Sequence, residues 1–406
     1  MTITAPPVRE SAEAALREYG PILRSESAAS VSNNGLTPTA CAAFLDAGLA
    51  MFDVPEYLGG RGDYSYVACQ KMVEEVSRYD DGSGWVLHAV GGFTGLFAAM
   101  LPEEGVQALW GEGRTATIAG MAAPRGKAVK TDDGYLVEGK YQFASGANVA
   151  THFVGGCAVY ENGRPVMLED GSPHFIAVVV PREKVVLEGN WDVIGLSATS
   201  SIDYEIPAMV VEEKFTFSMN PWPEHVLRGA PRHRVGLAVH GVTGQPPVSL
   251  GAARRALEEI ATLAQQRKRR DGPYATVADQ PLFQHDIAVL DAELTAARLA
   301  YYDFVERVDD YATNDPNPMT AYWGDRAKQV SRYAVDVAIK CVDFAYYWAG
   351  TSALRRGNII GQLFLNVHAM NLHLVMDRNA ILQAGPTVIA DLVQAGAERG
   401  AGPVPS

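Results

Sequence analysis

The sequence predicts an α+β fold, mainly α: an N-terminal helical domain (residues 1–114), a central β-barrel-like domain (115–228) and a C-terminal four-helix bundle (229–406). Three observations predict it. At 406 residues the chain exceeds one compact core, so two or three domains are expected. Apolar spacing is helical up to about residue 112, changes to a period of two from Thr115 to Phe217, and becomes helical again from Ser249. The second helical stretch falls into four long segments with short loops, the pattern of an antiparallel bundle.

In the first part, Ala40 to Ala47 carries its apolar residues on one face and ends at Gly48-Leu49. Pro55 to Gly62 is a loop opened by proline and closed by glycines. Tyr66 to Tyr79 is helical, with Val67, Met72, Val73 and Val76 at helical spacing. Gly84 to Met100 is almost wholly apolar and is predicted as one buried helix. Pro102 opens a short helix after it. In the second part, Val129 to Tyr141 reads as a hairpin turning at Asp132-Asp133-Gly134. Phe175 to Val180 is a buried strand closed by Pro181, and Asp203 to Val211 alternates, with Pro207 marking an edge or a bulge. Pro221 to Pro247 is irregular, with a short helix near Val235 to His240. The bundle helices are Ser249 to Arg269, Pro281 to Tyr311, Thr320 to Trp348 and Ile360 to Gln383, and Gly396 to Ser406 is a disordered tail.

Hydrophobic residues make up 48% and charged residues 20%, the balance of a soluble globular protein. A formal net charge of −13 disfavours a nucleic-acid or anionic-membrane surface. No run of about eighteen apolar residues occurs, so no membrane span is expected. No basic-then-apolar leader is read at the N-terminus, so a cytoplasmic protein is expected. Cys41, Cys69, Cys157 and Cys341 are scattered without a CxxC, so free, buried thiols are expected and a zinc site is not. Phosphate loop, GxGxxG, nucleophile elbow and HExxH are all missing.

The informative stretch is Thr115 to Gly156. Its hairpin runs into Tyr141-Gln142-Phe143-Ala144-Ser145-Gly146, an aromatic strand ending in a small corner. Such a corner lets a flat ligand approach the backbone, with Ser145 offering a hydroxyl. An ordinary strand end reads the same way.

Four motifs then occur in order: Phe44 to Leu49 followed by Pro55 to Gly62, Gly139 to Gly146, Trp191 to Ser201, and Arg267 followed by Phe283-Gln284. Together with the order helices, β-domain, bundle, they resemble the acyl-CoA dehydrogenase superfamily of flavoproteins over essentially the whole chain. The resemblance implies that Phe143, Ala144, Ser145 and Gly146, with Thr199 and Ser201, contact flavin. It also implies that Arg267 meets flavin phosphate across a subunit interface of a homotetramer. Many dehydrogenases of the family keep a catalytic Glu near the end of the bundle, and the matching position here is Leu374. Leucine cannot abstract a proton.

With that loss, the chain looks like the superfamily's two-component flavin-dependent monooxygenases. Their motifs match Pro124 to Ala128, Gly134 to Gly139 and Phe143 to Gly146. The resemblance implies reduced FMN or FAD supplied by a separate NAD(P)H-dependent reductase, with O2 as co-substrate and a flavin C4a-hydroperoxide as oxygen donor. The substrate expected is a small aromatic or heteroaromatic molecule. Ser145 is the candidate for holding flavin N5–H. His373, beside the lost base, is the first candidate for proton transfer and His88 the second. His88 also reads as a satisfied core histidine. Trp85, Phe93 and Trp348 are candidates to wall the substrate pocket, with His88 and His368 lining it. Two alternatives are an acyl-CoA dehydrogenase with a relocated base and a non-catalytic member of the superfamily.

Overall fold

A computed structural model describes residues 12–61, 64–220, 227–268, 273–315 and 317–399. Gly62, the second half of the basic run at Arg269-Arg270, and the last residues of the tail lie outside the described residues.

The N-terminal helices start where their caps stand. Helix α1 spans Ala12–Ser32, and α2 spans Pro38–Asp46, with the Thr37 hydroxyl accepting from Ala40 N at 3.1 Å. Helix α3, Tyr66–Tyr79, is capped by Ser65. Asp80 then caps α4, Asp81–Val86, accepting from both the Ser83 amide (2.8 Å) and the Ser83 hydroxyl (2.6 Å). The expected single apolar helix continues through a π-turn at Leu87–Gly91 into α5, Gly92–Met100. Such turns concentrate at functional sites. Over Asp81–Met100 the mean hydropathy reaches 1.2, enough by length and composition to cross a bilayer, contrary to the sequence expectation; yet 72% of it is buried inside the protein. Helix α6 is Glu103–Trp110, opened by Pro102.

The central part is one eight-stranded sheet in the order β6-β7-β2-β1-β3-β5-β8, with β4 on β3. Its strands are β1 (Ile118–Thr131), β2 (Gly134–Ala144), β3 (His152–Glu161), β4 (Arg164–Pro165), β5 (Phe175–Pro181), β6 (Val186–Leu187), β7 (Ile202–Val211) and β8 (Thr216–Asn220). The β1–β2 hairpin closes at Thr131↔Gly134, around the Asp-Asp turn. Strand β2 pairs with β7 through two register shifts. One absorbs Pro207, which cannot donate to the ladder. The other falls between Tyr141 and Ala144, where Phe143 takes a left-handed φ of +60°. This bulge aims the Ala-Ser-Gly corner out of the sheet.

The C-terminal part is α7 (Leu237–Thr243), α8 (Pro246–Gln266), α9 (Pro281–Asn314), α10 (Ala321–Ala349), α11 (Ile359–Met370) and α12 (Ala380–Glu398). The expected fourth bundle helix, Ile360 to Gln383, is broken. Buried Arg332 on α10 holds the break, donating to Asn371 Oδ1 at 2.5 Å and to Met376 O at 2.9 Å. The predicted tail is helical as far as Glu398. One apolar core joins the N-terminal helices to the sheet and a second fills the bundle. All four cysteines are free; Cys69, Cys157 and Cys341 are buried and Cys41 partly so.

Candidate active site

Three elements from three parts of the chain meet at one polar node. Asn366 on α11 donates to Asp81 Oδ2 (2.8 Å), and its Oδ1 accepts from Leu196 N (2.6 Å) and Gln362 Nε2 (2.7 Å). The node therefore ties the α4 helix to the 196–201 turn and to α11. Burial and the neighbouring Asp80 push Asp81 up to about 7, which suits a carboxyl that receives an amide N–H and lies away from water.

Above the node runs a chain of hydroxyls. Trp85 Nε1 donates to Ser145 Oγ at 3.0 Å, Ser145 lies 2.7 Å from Ser201 Oγ, and Ser201 lies 2.6 Å from Thr199 Oγ1. Thr199 Oγ1 is 2.8 Å from Leu196 O, which can only accept. Each hydroxyl has one proton, so every proton points the same way: Trp85 to Ser145 to Ser201 to Thr199 to the Leu196 carbonyl. Ser145 has thus given up its proton to Ser201 and keeps one lone pair uncommitted. Leu196 and Ser200 hold left-handed φ values of +59° and +47°, the backbone cost of bringing these hydroxyls together.

This donor set fits a reduced flavin. Its N5 carries a hydrogen and needs an acceptor, which is what Ser145 offers. Beside the corner, Phe143 is 55% exposed and stands edge-on to Trp191, their rings 6.3 Å apart, which leaves an apolar ring open next to the corner. Gly146 N donates to Thr199 O at 2.7 Å, which ties the corner to the turn.

Two histidines flank Trp85. The His88 and His373 rings each lie 5.9 Å from it, both edge-on. His88 is carried by the π-turn; His373 lies in the break after α11, where its Nδ1 accepts weakly from Val375 N at 3.4 Å. Their environments differ. Burial, with His240 and His373 nearby, pulls His88 down to about 3. His373 is exposed, and partial desolvation lowers its pKa without other causes. Leu374, the position of the lost base, is 85% exposed.

The structure brings Trp85, His88, Ser145, Thr199, Ser201 and His373 together. It does not bring the rest of the expected pocket with them. His368 points to α10, bonded to Asp343 at 2.7 Å and packed on Phe364. Trp348 packs on Phe283 and Phe344 inside the bundle. Phe93 packs on the cluster around Met51, Val54 and Phe97. Both tryptophan and histidine were assigned to the pocket from sequence proximity, which does not fix the face of a helix. Arg267 caps α10, donating to Ala349 O at 2.7 Å and Trp348 O at 3.2 Å, and borders a surface cleft with Ser352 and Arg355. Missed by the sequence reading were Asp81, Asn366 and His240. The pattern His-x-x-x-Gly, which occurs at His88–Gly92 and at His240–Gly244, was the available signal for the last.

Known proteins resemble this chain in sequence and in fold. Residues 243–378 match the family described as acyl-CoA dehydrogenase, C-terminal domain. The chain is 28% identical over 333 residues to an indole-3-acetate monooxygenase of Pseudomonas putida, covering 82% of each chain. It is 25% identical to the flavin-dependent monooxygenase oxygenase subunit HsaA of Rhodococcus jostii, covering 80% of this chain and 83% of that one. Among solved structures, the 3-HSA hydroxylase from Rhodococcus sp. RHA1 superposes with a TM-score of 0.80 at 21% identity over 98% of both chains. XiaF from Streptomyces sp., solved with FADH2 and glycerol, superposes with a TM-score of 0.78 at 19% identity, over 97% of this chain and 96% of that one. Over residues 243–378 the chain is thus similar to the acyl-CoA dehydrogenase C-terminal domain, and over about four-fifths of its length to flavin-dependent monooxygenases.

Proposed function

We propose that this protein is the oxygenase component of a two-component flavin-dependent monooxygenase. It takes reduced FMN or FAD from a separate NAD(P)H-dependent reductase and uses O2 to hydroxylate a small aromatic or heteroaromatic substrate. The observation that carries the proposal is the one-way hydroxyl chain, which leaves Ser145 an acceptor beside Trp85, with two histidines flanking the tryptophan and leucine at position 374. The relatives support the substrate class: one is named for indole-3-acetate and another, FADH2-dependent, for resorcinol.

Reduced flavin, when bound, supplies the two electrons that split O2 into a transferred oxygen atom and water. The protein's part is binding, orientation and proton handling. Ser145, Thr199 and Ser201 hold the polar edge of the ring, and Phe143 and Trp191 its apolar face. Trp85 fixes Ser145 and walls the site. The unequal pKa values of the two histidines divide their roles. His88, pulled far down, stays neutral and orients the substrate by hydrogen bonding. His373, lowered only by desolvation and open to solvent, is the group placed to give and take protons.

The exposed Leu282 and Leu299 on α9 and Ile389, Leu392 and Val393 on α12 support a homotetramer, in which a second copy would cover them. The test is to supply chemically reduced flavin anaerobically, add O2, and measure hydroxylated aromatic product. Reduction of bound oxidised flavin by acyl-CoA thioesters, with no oxygenation of any aromatic, would establish the dehydrogenase alternative instead.

A further inference from the structure

The turn at 195–201 is gripped between two helices. On one side it rests on α4, where a Cβ at Gly82 would lie 2.9 Å from Ala198 Cβ. On the other it rests on α11, where a Cβ at Gly195 would lie 2.6 Å from Leu365 O and 2.9 Å from Ala369 Cβ. Bare glycine at both places lets the backbones close on one another. Asn366 stands on α11 between Leu365 and Ala369 and is buried in this seam.

The partners of Asn366 settle which way its amide points. The Leu196 N–H can only donate, so the atom that meets it at 2.6 Å is the oxygen, Oδ1. Nδ2 then donates to Asp81 Oδ2 at 2.8 Å, and Gln362 Nε2 donates to Oδ1 at 2.7 Å. Leu196 is buried and held at φ +59°, ψ +24°, a left-handed conformation that strains any residue with a Cβ. Its N–H goes to Asn366. Its carbonyl takes three donors: Thr199 N at 3.0 Å, Thr199 Oγ1 at 2.8 Å and Trp191 Nε1 at 3.1 Å. Thr199 Oγ1 is the last hydroxyl of the chain that starts at Trp85, and Trp191 is the ring beside Phe143. One strained residue therefore anchors both the polar and the apolar parts of the candidate flavin site. Without an acceptor at 366 its buried N–H has no partner, and the strain of its left-handed backbone is no longer offset. Leu196 is then free to leave that conformation, and its carbonyl loses the fixed bearing that Thr199 needs.

We propose that Asn366 is a positioning residue that sets the flavin redox preference of the site. By holding Leu196 it keeps the Leu196 carbonyl as the end point of the hydroxyl chain, and so keeps Ser145 an acceptor toward the ligand. Asn366 acts through Leu196, and no proton changes owner. The inference rests on the flavin reading of the site proposed above.

Two double variants separate this role from a loss of structure. Asp81→Asn/Asn366→Asp exchanges the two side chains: a carboxylate at 366 still accepts from Leu196 and Gln362, and an amide at 81 still donates across the node. Asp81→Asn/Asn366→Leu differs from it only at 366, and removes the acceptor without stranding a buried charge. In flavin-free protein, hydrogen–deuterium exchange on the fragment spanning Leu196 should be as slow in the exchanged pair as in the wild type, and faster in the leucine variant. In anaerobic titrations with FMN and FAD, the ratio of oxidised to reduced dissociation constants should fall roughly 2- to 13-fold in the leucine variant, the worth of one neutral hydrogen bond. It should return to the wild-type value in the exchanged pair. A residue that only holds the fold together would weaken both redox states by the same factor and leave the ratio alone. Should the leucine variant not fold, Asp81→Asn/Asn366→Ser, whose side chain is too short to reach Leu196, takes its place. A wild-type ratio in that variant overturns the proposal, as does an exchanged pair whose ratio is equally low. A wild type that binds neither FMN nor FAD in either redox state would instead sink the flavin reading itself.

Discussion

Replacing Ser201 by alanine should weaken the site's discrimination between reduced and oxidised flavin. In the wild type, Ser145 gives its proton to Ser201 at 2.7 Å and so faces the ligand as an acceptor. That suits N5–H of reduced flavin and leaves oxidised N5, itself an acceptor, without a partner. In Ser201→Ala the Ser145 proton loses its destination and is free to turn to oxidised N5. One neutral hydrogen bond is worth about 0.5–1.5 kcal/mol, so oxidised flavin should bind roughly 2- to 13-fold tighter than to the wild type. Reduced flavin should bind as before, since Ser145 still accepts from Trp85 and keeps its lone pair. Ser145→Ala gives the complementary result: reduced flavin loses about the same amount and oxidised flavin nothing. Both variants lower the ratio of the two dissociation constants, but through opposite terms. Anaerobic fluorescence titration of each protein with FMN and FAD in both redox states measures all of them. Oxidised flavin binding no tighter to Ser201→Ala than to the wild type would refute the assigned proton direction.

Four further outcomes are expected. With Leu374 at the base position, acyl-CoA thioesters should not bleach the protein loaded with oxidised flavin, which an anaerobic absorbance scan checks. NADH should be oxidised only when a flavin reductase is added, which a coupled absorbance assay with the purified chain reads. His373→Ala should cut product formation by roughly 10² to 10⁴, the usual worth of acid–base help, whereas His368→Ala, tied to Asp343 at 2.7 Å, should do far less; product yield at equal reductase supply compares them. Asp81 is raised from 3.8 to about 7, so the stability linked to its protonated form is full below the unfolded value and lost as pH rises through about 7. Asp81→Asn cannot ionise and still offers an oxygen to Asn366, so its gain in Tm over the wild type should grow from pH 5 to pH 8.

Much of the fold was legible because its signals are local. Periodicity marked the change from helix to sheet and back, the Asp-Asp-Gly placed the hairpin turn, and Pro207 foretold a bulge. The breaks were not legible, because their causes lie elsewhere in the chain. Ile360 to Gln383 reads as one apolar helix, but Arg332, far earlier in the sequence, supplies the donors that hold its break open. The π-turn at Leu87–Gly91 changes one hydrogen-bond step and leaves the apolar composition untouched. Ser145, Thr199 and Ser201 were picked out through motifs, and the structure brings their hydroxyls together. Trp348 and His368 were misplaced because they sit on long helices, where a residue's face depends on partners that periodicity does not name.

The two irregularities that sequence missed are also the two that make the site. A straight helix through 81–100 would keep every side chain in strict i, i+4 rows; the π-turn carries His88 in a widened turn while Trp85, one turn earlier, reaches Ser145. An unbroken helix after Ile359 would carry residue 373 along the bundle; the break instead delivers its ring to within 5.9 Å of the Trp85 ring. Both distortions cost backbone hydrogen bonds, and buried side chains bond to each: the Thr94 hydroxyl donates to the Val90 carbonyl at 2.6 Å in the first, and Arg332 donates to Asn371 and to the Met376 carbonyl at the second. A dehydrogenase needs a charged carboxylate at this place to pull an α-proton. On its inner side the site is dry, with His88 held neutral and the carboxyl of Asp81 driven toward its protonated form, whereas position 374 opens outward. The exchange of base for histidine therefore extends beyond residue 374 itself. Leu374 is 85% exposed, so a glutamate restored there would face solvent rather than the buried Trp85–Ser145 pair, and should not restore proton abstraction.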